Sequence, residues 1–127
     1  MSEASSVVEL WSERRCLAAR CHIRDSWFGK AKGLLGRSGL AADEAMVLTR
    51  CRSIHTLGMR FPIDVIYANN DLEVVGLRES VVPWRSPRGF AKCRHIVEAG
   101  AGAIEQWQLA VGDRLELRRA DDARNRA

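Results

Sequence analysis

"FPIDVIYANNDLEVVGL", Phe61 to Leu77, decides how the rest of this sequence is read. Pro62 has a fixed φ and no N–H to give to a ladder, so it belongs at the first residue of a strand. Behind it Ile63, Val65 and Tyr67 alternate with the two-residue period of a strand. Asn69 to Asp71 favour a short turn, after which "LEVVGL" returns. The stretch predicts an antiparallel hairpin over residues 62–77, with Ile63, Val65, Leu72 and Val74 among its buried residues.

Working outward, "AMVLTR" before the hairpin is short and apolar, as a buried strand is, and "CLAARCHIR" further upstream also reads as a strand. Asp25 and Ser26 end that strand and cap the helix after it. In "SWFGKAKGLLG", Trp27, Ala31, Leu34 and Leu35 recur at helical spacing, and Gly36 is placed to stop the helix. Downstream, the prolines and glycine of "VVPWRSPRGF" mark a loop, and "KCRHIVEAG" a strand. Ile104, Trp107 and Val111 share one face of a second short helix, Gly112 and Asp113 turn the chain, and "RLELR" alternates as a last strand. The order β-α-β-β-β-β-α-β with hairpin-length connections predicts a small α+β domain, mostly antiparallel, with a barrel-like curled sheet and two short helices. Residues 15–119 form this single domain, between flexible segments at 1–14 and 120–127 that are polar and lack a period.

Composition narrows the function. A chain of 127 residues with 46% hydrophobic residues buries roughly two thirds of its unfolded surface and needs no metal or disulfide to hold a core. Twenty Lys and Arg against sixteen Asp and Glu leave a net charge of +4, a mild excess that points weakly to nucleic acid. No basic start with an apolar run follows the initial Met, and no apolar stretch reaches the roughly 20 residues that cross a bilayer, so a soluble cytoplasmic protein without a membrane partner is expected. Cys16, Cys21, Cys51 and Cys93 form no C-x-x-C pair, which predicts free thiols, no metal and no cofactor.

Two constellations carry chemistry. "HTLGMRFPID" sets His55, Thr56, Met59, Arg60 and Asp64 at the mouth of the hairpin. Read as a pocket, Arg60 holds an anion, His55 moves a proton and Asp64 orients one of them. Read as structure, Asp64 and Thr56 accept or donate hydrogen bonds in loops and Met59 fills core space. A Cys51 nucleophile with His55 and either Asp64 or Glu98 lacks a glycine elbow, so the residues lean away from an enzyme. The second constellation, residues 78–94, carries Arg78, Arg85, Arg88, Lys92 and Arg94 against Glu79, interleaved with Trp84 and Phe90. Basic residues with aromatics suit phosphates, stacked bases or an acidic ligand.

"GLLGRSGL", "HTLGMRFPIDVIYANNDLEVVG", "VVPW" and "IVEAGAGAIEQWQLAVGDRLEL" resemble, in order and spacing, the uncharacterised family DUF192, or UPF0127, from about Arg24 to Leu117. Many members carry an aromatic-Met-x-Asn-Thr stretch where this chain has "HTLGMRF". The resemblance implies a small, mostly β domain with helices and no established activity. The leading expectation is a domain that binds a small anionic molecule in a polar pocket of His55, Thr56, Met59, Arg60 and Asp64, flanked by Trp84, Arg85 and Glu98. Its rivals are a nucleic-acid-binding or transcription-regulator-like protein and, more weakly, a hydrolase using His55 and Asp64. Nothing in the residues points to a particular oligomeric state.

Overall fold

The computed structural model describes residues 6–26, 29–30 and 33–119. Its strands are β1 (Ser6–Ser12), β2 (Arg15–Arg24), β3 (Glu44–Leu48), β4 (Ile63–Ala68), β5 (Val74–Val81), β6 (His95–Gly100) and β7 (Leu115–Arg118), with one helix, α1 (Ala103–Trp107), before β7. They form one seven-stranded sheet in the order β5-β4-β6-β3-β2-β1-β7.

The hairpin forms as the sequence predicts. β4 and β5 pair antiparallel, Asn69 Oδ1 accepts from the Asp71 and Glu73 amides in the turn, and Ile63, Val65 and Val74 are buried, with Leu72 half-buried. Burial goes beyond alternation, because all six β4 residues are buried. The sheet is covered on both faces, so a strand in its middle needs apolar residues at every position. On one face Ile66, Val97, Val47 and Leu10 pack with Ile104 and Trp107 of α1. On the other, Ile63, Val65, Tyr67, Met46 and Ile96 pack under loops with Leu34 and Met59.

Three expectations are corrected. The sheet is open and not a curled barrel: residues 72–74 bond to residues 112–115, but no β5–β7 ladder runs on from there. Among the described residues there is one helix element, not two. Trp27 and Ala31 of the expected first helix lie outside the described residues, while Gly29 and Lys30 are helical, the Ser26 hydroxyl accepts from the Gly29 amide at 2.9 Å, and Gly33–Gly36 form a turn. The second helix stops at Trp107 because Gln108 takes the left-handed conformation, φ 52; Leu109 turns inward and Val111 is 63% exposed.

Two strand relations went unread. Ser6–Ser12, placed in a flexible end by the sequence, is a strand paired with both β2 and β7. Leu10 supplies its buried anchor, and the Arg118 guanidinium lies 4.1 Å from the Trp11 ring. β2 and β3 run parallel, so the chain between them must cross over, which residues 25–43 do. β6 then inserts between β3 and β4 and becomes a central strand, which positions the site.

Candidate functional site

Asp64 has no exposed surface. Its Oδ1 accepts from the Ser80 amide at 2.8 Å, and its Oδ2 accepts from Gly102 at 3.2 Å and Ile104 at 2.9 Å. Gly102 brings no side chain to cap α1, so the carboxylate of β4 reaches in and supplies the missing acceptor. None of these donors is Arg60 or His55. Thr56 is equally enclosed: its hydroxyl donates to the Val82 carbonyl at 2.7 Å and accepts from the Arg85 amide at 2.8 Å, tying two covering loops together. Met59 is 6% exposed within the loop-covered core.

A cleft of about 390 Å³ opens on that loop-covered face. It brings His55, Met59 and Glu98 together with Lys30, Arg50 and Cys51. Arg60 and Trp84 are exposed outside it, and Arg85 lines a second, shallower cleft with Arg78 and Ser80 beside β5. At the floor, Glu98 is 4% exposed and its Oε1 has no hydrogen-bond partner among the described residues. Burial pushes its carboxyl up to about 7. The position of Gly33 leaves room over this oxygen, since a Cβ there would stand 3.9 Å from Oε1.

The mouth is cationic. Arg50 donates to Asp25 at 3.1 Å, Lys30 Nζ donates to the Arg50 carbonyl at 3.4 Å, and Arg52 is exposed beside them. Between floor and mouth the walls are apolar, from Leu34, Leu35, Leu48 and Ile54. Cys51 and His55 share the cleft without bonding each other: the thiol donates to the Ser53 carbonyl at 3.2 Å, and His55 Nδ1 accepts from the Leu57 amide at 3.2 Å. Burial pushes the Cys51 thiol up, against what a nucleophile needs. Among the described residues no group of three or more His, Cys, Asp or Glu is placed to hold a metal ion.

Lys30, Gly33, Arg50 and Arg52 were not anticipated as site residues. They come from the β2–β3 crossover and the segment after β3, which leave the same edge of the sheet because β2 and β3 run parallel, while β6 on the other side of β3 brings Glu98 to them. No local pattern in the sequence signals that meeting.

The family model DUF192, "Uncharacterized ACR", matches residues 8–117. The chain belongs to the DUF192 family. It is 45% identical over 67 residues to the UPF0127 protein PF1050 of Pyrococcus furiosus, covering 53% of this chain and 57% of that one. It is 33% identical over 103 residues to a UPF0127 protein of Thermococcus sibiricus, covering 76% and 65%. This DUF192 chain thus spans less than two thirds of the length of either relative. Among solved structures, a protein of unknown function from Novosphingobium aromaticivorans superposes with a TM-score of 0.79 at 19% identity, over 90% of this chain and 87% of that one. A "putative transcription regulator" from Sinorhizobium meliloti superposes with a TM-score of 0.78 at 18% identity, over 92% and 98%. At these identities the likeness is one of fold. Among the described residues of this DUF192 chain, no helix is long and apolar enough to cross a membrane.

Proposed function

We propose that this DUF192 domain binds a small anionic molecule in the Glu98 cleft. One observation carries the reading: a buried carboxyl oxygen with no partner among the described residues faces a cleft whose mouth carries Lys30, Arg50 and Arg52. An unpaired buried polar group costs folding free energy, and convergent polar groups in a concave apolar site are what small-molecule binding requires. The cations draw an anion to the entrance, while the raised pKa of Glu98 limits its repulsion from the floor. Amide NMR spectra recorded against acetate, hexanoate, inorganic phosphate and a sugar phosphate test this. Shifts should gather at Gly33, Arg50 to His55 and Glu98. Shifts confined to residues 78–87, or none with any probe, would overturn it.

A second reading, nucleic-acid binding, rests on a different surface. Trp84 is 66% exposed at a φ of 66°, and Arg85, Arg88, Lys92 and Arg94 are exposed around it. The description of the Sinorhizobium protein also favours this reading. Fluorescence anisotropy with labelled single- and double-stranded oligonucleotides is the test. Binding at about 50 mM salt that weakens steeply with added salt, and weakens again in Trp84→Ala and Arg85→Ala, is the expected result. No binding at low salt would end this reading.

A further inference from the structure

The polar groups of the Glu98 cleft are segregated by depth. Cations lie at the mouth, where Asp25 holds the Arg50 guanidinium and Lys30 donates to the carbonyl of Arg50. The walls are apolar over Leu34, Leu48 and Met59. At the bottom is an acceptor oxygen, Glu98 Oε1, that no described residue bonds, with space above it where Gly33 has no side chain.

A simple carboxylate or phosphate would satisfy the mouth and leave the floor unpaired. Pushed deep, it would set its own oxygens against Glu98. A simple amine would satisfy the floor but enter past three cations. Only a molecule with opposite polar character at its two ends fits both levels. We infer that the ligand of this cleft is a short amphipathic molecule with an anionic group at one end, an N–H or O–H donor at the other, and an apolar chain between, as in an ω-amino or ω-hydroxy acid. The inference rests on the reading that this cleft is the binding site, and adds which end of the ligand goes where. The donor end meets Glu98 Oε1, which accepts a hydrogen bond from it whether the carboxyl is neutral or ionised. The anionic end stays at Arg50, Lys30 and Arg52, in water-exposed surroundings where a charge is cheaply kept.

Hexanoate, its ω-amino and ω-hydroxy derivatives, and hexylamine separate the two ends of the ligand. Each is titrated into the full chain, with the amides of Gly33 and residues 50–55 read by NMR. The ω-amino acid should bind about tenfold or more tightly than hexanoate or hexylamine, the size of one charge-assisted hydrogen bond, with the hydroxy acid between. In Glu98→Gln, which keeps shape and removes charge, the ω-amino acid should lose most of its advantage over the hydroxy acid. In Arg50→Ala, the three acids should weaken and hexylamine should not. Hexanoate binding as tightly as the ω-amino acid would overturn the inference and leave the cleft standing as an anion site. If none of the four moves these amides, the site reading itself fails and takes the inference with it.

Discussion

Asp64 and Glu98 are buried carboxylates on neighbouring strands, one rung apart: Asp64 faces Ala99 across the ladder, and Glu98 faces Val65. Side chains on adjacent rungs point to opposite faces, so one belongs to the helix-covered face and the other to the loop-covered face. Three backbone amides converge on Asp64. Among the described residues, no donor reaches Glu98 Oε1. Glu44, the third buried carboxylate among the described residues, behaves like Asp64. Burial alone would raise its pKa, but the Arg37 guanidinium, the Ala41 amide and His22 outweigh that and bring it down to about 2. The difference separates an acid that closes the fold from one the fold leaves open. A short helix can turn its free amides toward a strand, whereas loops laid over a sheet leave gaps.

The largest effect should come from breaking the satisfied side. Asp64→Ala would strand the buried amide of Ile104 and leave the part-buried amides of Ser80 and Gly102 without their acceptor, at about 1 to 3 kcal/mol for each amide that water does not reach and about 4 kcal/mol together. Denaturant unfolding measures it. A loss below about 1 kcal/mol would mean that water replaces the carboxylate, and the contrast with Glu98 would collapse. Trp107→Ala tests the cover on the same face. Trp107 is 5% exposed against the sheet, and its carbonyl accepts from Arg15. Its removal should cost about 3 to 4 kcal/mol by leaving a cavity, and should leave probe binding in the opposite cleft unchanged.

The sequence made one side of this comparison far more legible than the other. Pro62, the alternation behind it and the turn at Asn69 to Asp71 are local signals, so the hairpin was readable, and with it the alternative that Asp64 and Thr56 serve the loops. The donors to Asp64 lie 16, 38 and 40 residues away, so their convergence was not readable. For Glu98 the difficulty is greater, because its setting depends on β6 lying between β3 and β4 and on a crossover folding over that face. Nothing in "KCRHIVEAG" distinguishes a central strand from an edge. β1 was missed for a related reason: Glu9 interrupts "VVELW", and its partners are the hairpin strand β2 and the distant β7. Val111 was assigned to the core by helical spacing, but the helix had already ended.

The smallest effect has the sharpest sign. Glu98 has a folded pKa of about 7 against an ordinary 4.5, raised by burial. A carboxyl whose folded value lies above its unfolded one contributes stability that is full below the unfolded pKa and is lost as the pH rises through the folded pKa. The window is therefore about 4.5 to 7, and above it the native state carries an ionised group it cannot solvate. Lys30 near the mouth and the thiol of Cys51 share the cleft, and Tyr67 belongs to the core of the same face, but none donates a hydrogen bond to Oε1. Glu98→Gln keeps the volume and removes the ionisation. The variant should match the natural chain near about pH 4 and exceed it by up to about 3 kcal/mol near about pH 8. Asp64→Asn should destabilise the chain, because the Asn side chain sets an NH2 group against amides that need an acceptor. Paired unfolding curves at the two pH values decide it. If Glu98→Gln is destabilising at high pH, Glu98 has a donor that holds its charge, and the two carboxylates would be the same kind of residue.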